Sequence, residues 1–125
     1  MSGNNLKSEL PARFKQALQE TEKARDPKHV ASLFAESATL TNLGGDHGTD
    51  PHAFWQTYLE QFNEIRSEFT AETVSDCSAA LEWQSRGTTA DRKPVEYLGI
   101  SVIEFNAEAV TSFRTYYDSA VFVRS

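Results

Sequence analysis

The densest run of side chains able to ligate a metal or move a proton is Asp46-His47-Gly48-Thr49-Asp50-Pro51-His52, which sets two imidazoles and two carboxylates within seven positions. Zinc and related ions use such groups. The spacing matches no common zinc motif. Asp50 before Pro51 reads instead as an N-cap followed by a proline at the first helical position, which leaves His52 exposed in the first turn. No metal and no cofactor is expected. His47, in the loop leading into that helix, belongs to the residue type that titrates nearest neutrality. It is the acid/base candidate, placed at the mouth of a pocket.

Other reactive combinations lack their supporting residues. Glu82, Glu104 and Asp118 could form a carboxylate pair only on a shared inward face. If Trp83 points in, Glu82 points out, and Glu104 shares a face with Leu98 and Val102. Arg114 and Asp118 fall on one face of the last strand and are expected to form a salt bridge at a subunit seam. There is no Gly-x-Ser-x-Gly turn, and Gly44-Gly45 is not followed by the Lys and Ser/Thr of a phosphate loop.

The elements that must position any site follow from length and pattern. At 125 residues the chain is long enough for one domain with a real core, and 39% hydrophobic and 11% aromatic residues argue for a folded interior. A net charge of −6 with no clustered Lys or Arg argues against nucleic acid as a partner. No segment reads as a membrane span, and a single cysteine with no leader-like start predicts a cytoplasmic protein.

Residues 1–9 read as a flexible tail and 10–125 as one domain. Leu6, Leu10, Phe14, Ala17 and Leu18 recur at helical steps, with Pro11 placing the firm start near Leu10. Asp26-Pro27 opens a second helix with Val30, Leu33 and Phe34 inward. A short strand over Ala38–Leu43 precedes the third helix, whose inward set is Phe54, Trp55, Tyr58, Leu59, Phe62 and Ile65. Four β segments follow: Phe69–Val74, Ala79–Thr89, Val95–Phe105 and Ala109–Val123. Their short connections demand antiparallel neighbours. The expected fold is α+β: three N-terminal helices on one curved antiparallel sheet, forming a cone with an internal pocket. Apolar residues on both faces of the third β segment (Tyr97, Ile103 and Phe105 against Leu98, Ile100 and Val102) predict a homodimer through the outer sheet face.

The stretches Ala31–Leu40, His47-Gly48 before a helix, Gly99–Phe105 and Phe113–Asp118 together resemble the nuclear transport factor 2-like superfamily, in its SnoaL-like branch. The resemblance covers about Leu10 to Phe122. It implies the cone fold and a range of activities spanning isomerases, cyclases, hydrolases, dehydratases and binding modules. Where ketosteroid isomerases carry a tyrosine and two aspartates, this chain has Phe14, Asn42 and Ser101. Where limonene epoxide hydrolases carry an arginine and two aspartates, it has Trp83, Ser85 and Thr115. Neither ionisable set is present.

The expected function is therefore binding of a small apolar or ring-containing molecule. Asn42, Tyr58, Trp83, Ser85, Tyr97, Ser101, Thr115 and Tyr117 would line the pocket, with isomerase, cyclase or hydrolase activity as the enzymatic form of that reading. In that form His47 is the base and Tyr97 or Tyr117 the hydrogen-bond donor. The rival is a non-catalytic binding or association domain, which requires a tightly filled interior.

Overall fold

The computed structural model describes residues 2–44 and 46–122, without the side chains of residues 2–8, 46 and 47. Helix α1 runs Ser2–Ala24 with Pro11 inside it. The helix starts earlier than the firm start expected near Leu10. A proline removes one backbone hydrogen bond, but Leu10, Pro11 and Phe14 are all buried, and that burial opposes the loss. The inward positions Leu10, Phe14, Ala17 and Leu18 continue at the same spacing to Thr21 and Glu22, both buried.

Helix α2 is a single turn, Lys28–Ala31. Asp26 accepts from the Lys28 N–H at 2.9 Å, and Thr21 Oγ1 accepts from Val30 N–H at 2.9 Å, which fastens this turn to α1. Phe34 does not belong to it, because strand β1 (Phe34–Asn42) begins there. β2 (Asp46–Gly48) is followed by α3 (Pro51–Glu60), which Asp50 caps by accepting from Ala53 N–H. Only α1 and α2 therefore precede the sheet. The third helix lies between its second and third strands, so the expectation of three N-terminal helices is corrected.

Phe62 and Ile65, expected on the third helix, lie on β3 (Phe62–Val74). Their spacing suits a helix, but Arg25 ends that option by donating to the Leu59 and Phe62 carbonyls at 3.0 and 2.8 Å. Beyond the irregularity after Phe62, β3 pairs with β4 (Ser78–Thr89), so that Ile65, Ser67 and Phe69 alternate inward. β5 (Pro94–Phe105) and β6 (Val110–Tyr117) complete the sheet, and a 3-10 turn follows over Ser119–Phe122. The last strand is thus shorter than expected, and Val123 lies outside the described residues.

Strand order is β2-β1-β6-β5-β4-β3. β1 and β6 are parallel and every other pair is antiparallel, so the sheet is mixed rather than wholly antiparallel. Short connections enforce antiparallel pairing between β1 and β2 and again from β3 onward. β1 reaches β6 through most of the chain and is free of that constraint. One face of the sheet carries the core. Leu10 and Phe14 from α1 pack with Leu40, Trp55, Leu81, Ile103 and Phe113, while Phe62, Ile65, Trp83, Val95 and Tyr97 form a second cluster. Tyr58 and Phe69 touch both. On the opposite face Leu98 is 67% exposed and Tyr116 40%. No helix among the described residues is long and apolar enough to cross a membrane.

Candidate functional site

Between the two core clusters the helices and the sheet leave a cavity of about 450 Å³. Asn42 reaches it from the end of β1 and Tyr58 from α3; Trp83 and Ser85 come from β4, Tyr97 and Ser101 from β5, Thr115 and Tyr117 from β6. All eight pocket residues expected from the sequence line this one space. Alternation explains the strand members. Residues 83 and 85, 97 and 101, and 115 and 117 share parity and therefore one face. Trp83, Tyr97 and Tyr117 pack against one another, with ring centroids 5.3 to 6.3 Å apart. Gly99 makes room for the indole: a Cβ there would lie 2.2 Å from Trp83.

Two hydroxyl pairs cross the floor between neighbouring strands. Ser101 faces Thr115 at 2.9 Å, and the Trp83 indole N–H donates to Ser101 Oγ at 2.9 Å. Ser67 faces Ser85 at 2.6 Å. This second pair ends on a carboxyl that the sequence reading did not single out. Glu22, only 4% exposed, accepts on Oε2 from Tyr58 Oη and Ser67 Oγ, both at 2.6 Å, and on Oε1 from the Ser67 N–H at 2.8 Å. Burial pushes its pKa above the ordinary carboxylate value, and the three hydrogen bonds oppose part of that rise. No Lys or Arg among the described residues pairs with it. A signal for Glu22 was present: it lies four positions beyond Leu18 on the inward stripe of α1, and a helix carried through Ala24 turns it in.

Burial raises the pKa of Tyr58 well above the usual phenol value, with the Glu22 charge adding to the effect. Tyr97 is raised as well, first by burial and then by Tyr117. Both phenols stay protonated at ordinary pH, and Tyr58 donates to Glu22. Among the described residues two buried polar atoms lack a hydrogen-bond partner, Asn42 Oδ1 and Trp55 Nε1, and both residues line the cavity. The site thus holds neutral donors and acceptors in an aromatic wall, with one buried carboxyl behind it.

The remaining candidates are placed as follows. His47 is a β2 residue paired with Thr41, and its side chain lies outside the described residues. The exposed residues after it, Gly48, Thr49 and Asp50, contribute to the cavity wall. His52 is exposed on the first turn of α3. Glu82 and Glu104 face outward as parity requires. Arg114 bonds Glu104 at 2.7 Å rather than Asp118, whose carboxylate accepts from Ala120 N–H. Asp118 lies past the end of β6, so strand parity does not govern it.

A family model described as SnoaL-like domain matches residues 14–113. The fold is similar to that of an NTF2-like protein from Anabaena variabilis, with a TM-score of 0.81, 13% identity, and 91% of this chain and 90% of that one covered. It is also similar to a protein of ketosteroid isomerase-like fold from Catenulispora acidiphila, solved in complex with trimethylamine; there the TM-score is 0.77 and identity 18%, over 90% and 91% of the two chains. AusH from Aspergillus nidulans gives a TM-score of 0.73 at 17% identity, over 90% of this chain and 85% of that one. At such identities the likeness establishes the fold alone. No curated protein matches this chain.

Proposed function

This chain belongs to the SnoaL-like domain family within the nuclear transport factor 2-like superfamily, and from that premise we propose that it binds a small, neutral, ring-containing apolar molecule in its cavity. The observation that carries this reading is the cavity itself. Its volume of about 450 Å³ is within the range of ligand sites, and its walls combine aromatic rings with a few convergent hydroxyl and amide groups. A tightly filled interior, which the non-catalytic association reading requires, is not what this lining describes.

In the enzymatic form of the proposal the reaction is an isomerisation, cyclisation or hydrolysis. Tyr97 or Tyr117 donates to a ligand oxygen and His47 serves as the base. Phe14, Asn42 and Ser101 cannot supply the ionisable set of a ketosteroid isomerase, nor Trp83, Ser85 and Thr115 that of a limonene epoxide hydrolase. Replacement of His47 by Ala is expected to lower turnover about 100-fold or more. Turnover equal to the native protein removes that role.

The apolar outer face, with Leu98 67% exposed beside half-buried Ile100 and Val102, supports assembly as a homodimer. Sedimentation equilibrium is expected to give twice the chain mass, and a monomer at micromolar concentration refutes the assembly.

Thermal-shift screening of apolar ring compounds tests the main proposal. A pocket ligand at 100 times its Kd stabilises the fold by about 2.7 kcal/mol. A panel in which no compound raises Tm, while Trp83 fluorescence stays unquenched, refutes it.

A further inference from the structure

The carboxyl of Glu22 meets two hydroxyl branches at one oxygen, and both branches end in the cavity. Oε2 accepts from Tyr58 Oη and from Ser67 Oγ, each at 2.6 Å. Ser67 Oγ in turn lies 2.6 Å from Ser85 Oγ, with either hydroxyl able to donate. Tyr58, Ser67 and Ser85 all line the cavity. Oε1 is held by the Ser67 N–H at 2.8 Å, which fixes the orientation of the carboxyl.

A hydroxyl has one proton to donate, so the state of the carboxyl dictates the sense of the Ser67–Ser85 branch. When Glu22 is ionised, Ser67 donates to it and Ser85 must donate to Ser67. Ser85 then offers only a lone pair to the cavity. With a proton on Oε2, Glu22 becomes a donor. If it donates to Ser67, the Ser67 proton turns to Ser85 and the Ser85 proton turns to the cavity. If it donates to Tyr58, the phenol proton turns there instead. Protonation therefore gives the wall a donor, at Ser85 or at Tyr58, where the ionised state offers only lone pairs, with no side chain required to move beyond the rotation of its hydroxyls.

We propose that the Ser85 and Tyr58 hydroxyls form the subsite for the ligand's oxygen, and that the protonation state of Glu22 selects between a ligand that donates there, such as a phenol, and one that accepts, such as a ketone. This deepens the small-molecule reading and rests on it. Burial raises the pKa of Glu22 toward the range in which the selection operates.

The other ionisable groups around Glu22 leave this assignment intact. On the cavity side stand Tyr58 and Tyr97, both shifted upward and protonated throughout, together with Tyr117 and, at the exposed end, the Asp50 carboxyl that caps α3 through the Ala53 N–H. On the outer side Glu22 lines a groove shared with Lys23 and Arg25 of α1 and Glu64, Arg66 and Glu68 of β3. Arg86 of β4 and Glu96 of β5 complete that groove and pair with each other at 3.3 Å. A change of charge at any of them acts similarly on two neutral ligands. A carboxyl that itself met the ligand, such as Asp50, would distinguish a donor from an acceptor too, and a swing owed to it would survive Glu22→Gln.

The experiment measures Kd for 2-naphthol and for 2-tetralone by quenching of tryptophan fluorescence, between about pH 4 and about pH 8, where phenols remain protonated. For the native protein the ratio of the two affinities is expected to move about tenfold toward 2-naphthol as pH rises, the worth of one hydrogen bond of the wrong sense. Glu22→Gln should hold the ratio on the 2-tetralone side at every pH, because an amide whose oxygen takes the Ser67 N–H presents its N–H to Ser67 and Tyr58. Ser85→Ala keeps Glu22 in place and should at least halve the swing. A ratio independent of pH in the native protein, with both compounds bound, overturns the subsite assignment alone. A swing that survives Glu22→Gln, or Ser85→Ala at full size, overturns it too. Failure of both compounds to bind at any pH overturns the pocket reading on which it rests.

Discussion

The two hydroxyl pairs on the cavity floor are built alike and end differently. Ser67 faces Ser85 across β3 and β4, and Ser101 faces Thr115 across β5 and β6; each is a directly opposed cross-strand pair on the inner face. The Ser101–Thr115 pair ends on the Trp83 indole, a group that only donates and does not titrate. The Ser67–Ser85 pair ends on Glu22, which accepts when ionised and donates when protonated. Identical strand geometry thus gives one polarity that pH leaves alone and one that pH reverses. The difference comes from a helix residue, outside the sheet that holds both pairs.

Removing the carboxyl should show this contrast most strongly. Glu22→Ala leaves the Ser67 N–H and the Tyr58 hydroxyl without their acceptor, and the expected loss is about 3 kcal/mol in urea unfolding. A loss under about 1 kcal/mol would mean that water replaces the carboxyl at no net cost. Glu22 also gives stability a pH dependence of definite sign. Its ordinary pKa is 4.5 and its folded value is higher, so between the two the folded chain holds a proton that the unfolded chain has lost. That contribution is complete below about pH 4.5 and is lost as pH rises through the raised value. Glu22→Gln should flatten this limb of the stability curve.

The other pair is sharpened by smaller perturbations. Gly99→Ala places a Cβ into the Trp83 ring and should cost about 2 kcal/mol while changing the tryptophan emission, since the indole must leave Ser101. Ser101→Ala strands the indole N–H and should cost about 1.5 kcal/mol, equally at acid and neutral pH. A pH-dependent cost would put a titrating group in this pair and erase the contrast. Smallest is Arg114→Ala on the outer face, whose half-exposed bond to Glu104 should be worth about 0.5 kcal/mol, readable only by comparing denaturation midpoints.

Much of the site could be read along the chain because strands write it in a period of two. Once Trp83 points inward, Ser85 must follow it, and the same parity gathers Tyr97 with Ser101 and Thr115 with Tyr117. Helical spacing was less decisive. Phe62 and Ile65 extend the apolar stripe of α3 without a break, and the change to strand is marked by distant groups, the Arg25 side chain on the Leu59 and Phe62 carbonyls and the Ala90 N–H on that of Gln61. Glu22 was hidden for a related reason: a glutamate on a helix is ordinarily solvated, and nothing local announces that Ser67 and Tyr58 will meet it.

The sequence by itself determined an α+β domain, the inner face of each main strand and the neutral aromatic lining of the cavity, because hydrophobic alternation and cap residues act over a few positions. Tertiary structure alone decided the parallel seating of β1 on β6, the turn of chain from α3 into β3 and the partners of Glu22. These depend on partners 34 or more positions away, such as Leu59 for Arg25 and Tyr58 and Ser67 for Glu22, and no local pattern specifies which distant groups will close on a buried charge.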